Sequence, residues 1–271
     1  MFKKISIRIA VVVLIATSYS FTSLAQNPSS KKGFVKLFNG ENFDGWHLKI
    51  RSDDAELAKK LYVIEDGMVH VFNQEFPDNY ELNTGKNETH GLFYTNKKYS
   101  RYILRFEYKW GKKIANNFDQ FQYDAGCYYH VVDDKIWPLG IEYQVRYDHT
   151  KKKNHTGDFW AGGLTWYSKD GNSFTPPSEG GQPVLGHGGE HLAAPGAKSN
   201  DLNGKWNKCE VIVMGDEYTI HKLNGKLVNM ATKLPHSEGI IGFQSETAEI
   251  FYRNIEIKEF KEIIPMEVFL K

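Results

Sequence analysis

Between Arg101 and Trp110 every second residue is large and apolar. Tyr102, Leu104, Phe106, Tyr108 and Trp110 fall on one side, and Arg105, Glu107 and Lys109 on the other. A period of two belongs to a strand with one buried face, because an α-helix repeats only every ~3.6 residues. The same kind of signal recurs. Leu61 to Glu65 and Met68 to Phe72 flank Asp66-Gly67, and Tyr218 to Leu223 and Lys226 to Ala231 flank Asn224-Gly225, both pairs being two-residue hairpin turns. Further strands are expected at Gly91 to Thr95, Tyr123 to Val132, Gly140 to Tyr147, Trp206 to Met214, Ile240 to Ser245 and Ile250 to Lys258. One short helix is expected, capped by Asp53, with Glu56 placed for a capping box and Leu57 and Leu61 on one side. Repeated antiparallel strands with little helix predict an all-β jelly-roll sandwich. Two stretches, Asp148 to Gly163 and the Pro- and Gly-rich Ser168 to Gly204, resist strand assignment and read as long rim loops over a sheet face.

The N-terminus bears on location. Lys3, Lys4 and Arg8 precede the apolar run Ile9 to Ile15, and small residues lead to Ser23-Leu24-Ala25 before Gln26. That order predicts a signal peptide over residues 1–25, with a signal anchor as the competing reading, and hence a periplasmic or secreted bacterial protein. The run is far short of the ~20 residues a membrane span needs. No cysteine near the cut supports a lipid anchor. Residues 26–271 fit a single jelly-roll domain, since such domains reach about 250 residues undivided. Basic and acidic residues nearly cancel, 34 against 33, which with no Lys/Arg stripe argues against nucleic acid as a partner. The two cysteines, Cys127 and Cys209, read equally as a disulfide or as small core residues. Aromatics make up 14% of the chain, suiting both strands and the apolar faces of sugars.

Polar side chains on alternate positions mark the candidate site. Glu142, Gln144 and Arg146 share a strand face, as do Asp124, Tyr128 and His130, as do Arg105, Glu107 and Lys109, and as do Gln244 and Glu246. Were these strands neighbours, acids, bases and amides would converge on one surface suited to a carbohydrate. An ordinary solvent-facing sheet would show the same pattern.

Several motifs, in order, tip the balance. Leu37-Phe38-Asn39-Gly40 followed by Gly45-Trp46, Ile64-Glu65-Asp66-Gly67-Met68, Tyr102 to Tyr108, and Ile141-Glu142-Tyr143-Gln144-Val145 come first. Trp206-Asn207, Leu223-Asn224-Gly225-Lys226, Ile241-Gly242-Phe243-Gln244 and Phe251-Tyr252-Arg253-Asn254-Ile255 follow. Together they resemble the 3-keto-disaccharide hydrolase family over about Gly33 to Phe260. The resemblance implies a concanavalin-like jelly roll, export, and action on 3-keto glycosides. The sequence departs from the family pattern at Asp124-Ala125-Gly126-Cys127, and His130 stands where an arginine is usual.

In a 3-keto sugar the carbonyl acidifies the proton at C2, so a base can remove it, the enolate can expel the group at C1, and water can then add. Such a site needs a base, a group facing the enolate oxygen and an acid for the leaving group. Glu142, His130 and Asp124 are the catalytic candidates, although Glu142 could instead pair with Arg146 or Arg105, and His130 could be structural. Glu107, Gln144, Arg146 and Lys109 are candidates for binding substrate, with Arg146 or Lys109 at the enolate. Trp160 and Trp166 are candidates for sugar stacking, or for strand-edge packing. His187, Glu190 and His191 are candidates for a divalent cation, or an incidental cluster on a loop. A sugar oxidoreductase would have to act upstream. The alternative is a non-catalytic carbohydrate-binding module of the same fold. A conventional glycoside hydrolase is a further rival, for which no closely spaced strand acids are found.

Overall fold

The computed structural model describes residues 32–116 and 122–270, so the expected signal segment lies outside the described residues. The chain opens with β1 (Val35–Lys36), β2 (Trp46–Ile50), helix α1 (Ala55–Leu61), β3 (Tyr62–Glu65), β4 (Met68–Val71), helix α2 (Tyr80–Thr84) and β5 (Gly91–Thr95). Three long strands follow: β6 (Arg101–Ile114), β7 (Tyr123–Val131) and β8 (Ile141–Asp148). Then come the short β9 (Lys153–Asn154), β10 (Phe159–Ala161), β11 (Thr165–Ser168), β12 (Gln182–Leu185) and β13 (Gly189–His191). Strands β14 (Asn207–Met214), β15 (Tyr218–Leu223), β16 (Lys226–Thr232), β17 (Ile240–Ser245) and β18 (Ala248–Glu259) complete the fold.

These strands form two antiparallel sheets stacked as a jelly-roll sandwich. One runs β13-β10-β8-β7-β17-β5-β2, with β9 beside β8. The other runs β12-β11-β16-β15-β14-β6-β18-β4-β3, with β1 beside β18. Both hairpin turns form as expected, joining β3 to β4 and β15 to β16. The cap of α1 is Asp54, not Asp53: its carboxylate accepts from the backbone N–H of Glu56 and Leu57, while Asp53 has φ +55°. Helix α2 has no counterpart in the sequence reading.

The alternating apolar residues of β6 and β8 face each other across the sandwich. Phe106 of β6 meets Phe243 of β17 edge-on at 5.1 Å and Tyr143 of β8 at 5.7 Å. Burying such rings is the main stabilising term, at about 25 cal/mol per Å² removed from water. A chain of buried polar atoms is paired in the core: Tyr129 Oη lies 2.9 Å from Thr219 Oγ1 and 2.9 Å from His221 Nε2, whose Nδ1 donates to the Gly157 carbonyl at 3.0 Å. Cys127 on β7 and Cys209 on β14 are free, buried thiols in opposite sheets, so they act as small core residues.

This stacking corrects one expectation. With the apolar faces of β6 and β8 turned inward, their polar faces point out of opposite sides of the sandwich. Glu107 and Lys109 therefore do not join Glu142. Glu107 accepts from Arg253 Nε at 2.9 Å, and the Lys109 ammonium lies 4.7 Å from the Phe251 ring centre and 5.1 Å from that of Trp206. The two stretches expected to be structureless rims also contain strands: β10 and β13 extend the first sheet beyond β8, and β12 extends the second.

Candidate functional site

Strand β8 is the spine of the site. Its outward residues Glu142, Gln144 and Arg146 face away from the core, yet all three are buried. Their neighbours follow from register. Glu142 lies opposite Trp160 of β10 on one side and Tyr128 of β7 on the other, and Trp160 in turn lies opposite Glu190 of β13. Beyond Tyr128 the row continues through Gly242, Tyr94 and His47. Cross-strand partners share a face, so an exposed indole stands directly beside a buried carboxyl. Gly126, opposite Gln144, makes room for that carboxyl: a Cβ on Gly126 would lie 2.0 Å from Glu142 Oε1.

Arg146, opposite Asp124, is the electrostatic centre. Its guanidinium pairs with Glu190, lies 4.0 Å from Asp124 Oδ2, and approaches His155 Nδ1 at 3.2 Å. Gln144 donates its amide N–H to Asp124. His155 Nδ1 lies 2.8 Å from Asp158 Oδ2, and Asp158 Oδ1 accepts the N–H of Ala193 at 2.6 Å, tying the chain after β13 to the site. Glu246, just past β17, joins the cluster with its carboxylate 3.9 Å from His90 Nδ1.

The acids outnumber the charges that could neutralise them. Burial pushes the Glu142 carboxyl up to about 8, helped by the charge of Asp124 and opposed by Tyr128 and Arg146. Burial, then the charge of Glu142, pushes Glu246 up to about 8 against Arg146 and Arg51. Asp124 is raised well above the usual carboxylate range by burial and Glu246. Like charges in a dry site cannot all ionise, so this group holds protons near neutral pH. One carboxylate beside a protonated neighbour is the arrangement that acid/base chemistry needs.

The structure brings together Glu142, Asp124, Gln144, Arg146, Trp160 and Glu190. His130 is left out. Three residues of β17 (Ile240 to Gly242) oppose four of β7 (Tyr128 to Val131), and this bulge, with His130 at φ +51°, turns its ring inward. There His130 Nδ1 donates to the His236 carbonyl at 2.8 Å, its ring packs edge-on near Tyr102, and burial lowers its pKa to about 4. Trp166 lies in the opposite sheet, buried, with Nε1 donating to Asn229 Oδ1 at 2.8 Å, so it is a core residue.

The proposed trio His187, Glu190 and His191 does not converge either. His187 is exposed, while His191 points to the core side, its Nε2 3.1 Å from the His187 carbonyl and its ring 5.5 Å from that of Trp166. His155, Asp158 and Glu190 instead place three donor atoms within 4.8 Å of one another. The Arg146 guanidinium already lies against two of them, so a cation there would have to displace it. Sequence reasoning missed Glu246 as an acid, together with His90, His155 and Asp158. The pairing of Gln244 with Glu246 on one face was visible, but nothing local places β17 between β7 and β5.

The sequence profile of the 3-keto-alpha-glucoside-1,2-lyase-like domain matches residues 33–258. Among solved structures, two candidate glycosyl hydrolases from Parabacteroides distasonis are similar in fold. One, at 20% identity and TM-score 0.50, covers 84% of this chain and 94% of its own. The other, at 18% identity and TM-score 0.50, covers 84% and 99%. The Bacillus licheniformis β-glucanase is also similar, at 11% identity and TM-score 0.48, covering 85% and 100%. No curated protein matches the chain.

Proposed function

The chain belongs to the family of 3-keto-alpha-glucoside-1,2-lyase-like domains, and on that premise we propose that it cleaves 3-keto glycosides by elimination and hydration. Glu142 as carboxylate takes the proton from C2. The C2–H electrons form the C1=C2 bond as the C1–O bond breaks, and the leaving oxygen receives a proton from Glu246. Water then adds across the double bond, hydroxyl to C1 and proton to C2, so the net change is hydrolysis. Arg146 faces the charge that develops on the C3 oxygen, Gln144 and Asp124 hold hydroxyls, and Trp160 packs against the sugar ring. The substrate must come from an enzyme of the oxidoreductase class that oxidises the C3 hydroxyl. The expected signal peptide supports a periplasmic or secreted location for this chain.

The observation that carries this reading is the outward row of β8, where buried Glu142 lies opposite the exposed Trp160 and shares a face with Arg146, with the mostly buried Glu246 at the end of β17 and both carboxyls pushed up to about 8. A module that only binds sugar has no need of two carboxyls held at the edge of ionisation. The test is release of a chromogenic aglycone from a 3-keto glucoside and from its unoxidised counterpart. Cleavage of the keto form alone is expected, with Glu142→Gln losing at least roughly a hundredfold in kcat. The wild-type rate should rise as the carboxyl pair gives up a first proton and fall as it gives up the second, a bell centred near pH 8. Cleavage of neither substrate, with wild type and Glu142→Gln binding sugar alike, would leave the binding module.

A further inference from the structure

Glu246 has a histidine behind it. Its side chain is 12% exposed, and on the buried side the His90 imidazole, 1% exposed, presents Nδ1 to the carboxyl at 3.9 Å. Their chain neighbours hold the two at that separation. Ser245 Oγ, one residue before Glu246, donates to the carbonyl of Thr89, one residue before His90, at 2.7 Å. Glu81 of α2 accepts the Thr89 N–H at 2.6 Å, and the Arg51 N–H donates to the His90 carbonyl at 2.9 Å. From the loop between β7 and β8, the Trp137 indole lies on the imidazole, with ring centres 4.1 Å apart and planes within 27°. Tyr94 Oη braces that loop by donating to the Lys135 carbonyl at 2.7 Å. The stack keeps water off the ring and keeps the ring from turning.

The imidazole is neutral, and its surroundings assign its hydrogen. Burial lowers its pKa to about 3, helped by the charge of Arg51 and opposed by the Ile136 carbonyl. Gln244 Nε2 lies 3.5 Å from His90 Nε2; an amide nitrogen only donates, so Nε2 accepts and the hydrogen sits on Nδ1. Nδ1 is buried and has no hydrogen-bond partner among the described residues. At 3.9 Å it is too far from Glu246 for a hydrogen bond, as suits a carboxyl that still holds its proton. Once that proton leaves, a carboxylate and a buried, unpaired N–H face each other, and closing the gap by about 1 Å satisfies both. A donor fixed in advance where charge develops needs no reorganisation at the moment of reaction. The other charged and titratable groups around Glu246 are Glu142 and Arg146 of β8, Asp124 and Tyr128 of β7, and Arg51 after β2.

We propose that His90 is a positioning residue for Glu246: its Nδ1 hydrogen, held in line by Trp137 and the Ser245 tie, receives the carboxylate that remains when Glu246 gives its proton to the departing oxygen. The proposal rests on the elimination reading and adds to it the group that sets how readily the acid lets go. The proton passes from Glu246 to the C1 oxygen, and His90 exchanges none.

The experiment uses two variants. His90→Phe keeps a flat ring under Trp137 and removes both nitrogens, while His90→Asn returns an N–H near the Nδ1 position. With isotope-labelled glutamate followed by NMR, the Glu246 titration should move up by about one pH unit in His90→Phe and by less than about half a unit in His90→Asn. The alkaline limb of kcat for a 3-keto glucoside should move with it, kcat at the optimum falling roughly tenfold in His90→Phe while KM stays within about twofold. A folded His90→Phe whose Glu246 titration and alkaline limb stay in place overturns the proposal. In wild type alone, nitrogen NMR of the histidines should find the His90 hydrogen on Nδ1, moving downfield as Glu246 ionises. That measurement decides the case if His90→Phe does not fold, and a hydrogen on Nε2 overturns the proposal. Should wild type cleave no 3-keto glucoside, the elimination reading falls, and the two NMR measurements still decide whether His90 receives the Glu246 carboxylate.

Discussion

Glu142 and Glu246 carry protons in the folded protein at pH values where the unfolded chain has released them. Each has an ordinary value of 4.5 and a folded value of about 8, so between those limits the native state binds more protons than the unfolded state. Stability from these groups is therefore complete below about pH 4.5 and is lost as pH rises through 8, where a buried, crowded carboxyl must ionise. The same feature that suits them to proton transfer makes them a burden to the fold in alkali. Glu142→Gln removes one titrating group without changing the side chain's size. Its Tm should gain on wild type as pH goes from 5 to 9, by roughly 3 °C or more. Thermal melts of both proteins at the two pH values check this, and a difference that does not move with pH would mean that Glu142 is not held protonated by its surroundings.

Among the elements, the bulge in β7 decides what the site contains. Strict alternation puts His130 on the same face as Tyr128; the extra residue sends it inward and puts Val131 outward with Tyr94 and Tyr128. Nothing in the period of β7 announces this. The signal lies across the sheet in Gly239, where a Cβ would come 2.3 Å from the His130 carbonyl carbon. Gly239→Ala should thus destabilise by about 2 kcal/mol or more, read as a shifted midpoint in denaturant. His130→Asn, which tolerates the positive φ, should lower stability yet keep kcat within about threefold, because no step uses the imidazole. A large kcat loss with an unchanged fold would return His130 to the site. The long strands, the two hairpins and the face shared by Glu142, Gln144 and Arg146 were legible because alternation and turn chemistry are local. The short strands β10 and β13 were not, because three residues among glycines and lysines carry no period. They nonetheless deliver Trp160 and Glu190. Trp166 reads like Trp160 in sequence, and only the sheet it joins makes it core.

The whole molecule has two outer faces with different electrostatic character. On the face of the first sheet, acids crowd one guanidinium and stay partly protonated. On the other, charges are matched and stacked: Arg105 Nε meets Glu210 at 2.6 Å, Arg253 meets Glu107, and the Arg253 guanidinium lies 3.7 Å from the centre of the Trp206 ring. Matched, half-exposed pairs of this kind contribute at most about 1 kcal/mol each. Glu107→Gln and Lys109→Ala should leave turnover of a 3-keto glucoside within about twofold of wild type while changing stability only slightly, and a tenfold loss would place part of the site on the second sheet. The strand order has a further consequence. β17, near the far end of the described chain, lies between β5 and β7, so Glu246 meets Glu142 and Asp124 only after a ribbon from late in the sequence enters the middle of a sheet begun early. Closing so many distant pairings makes for slow assembly, on the order of milliseconds to seconds for smaller all-β domains and longer for this one. Until β17 arrives, β5 and β7 have open edges that invite other strands. A nascent copy therefore has Glu246 apart from Glu142, with two strand edges still open. The two carboxyls come together in the same step that seals the sheet.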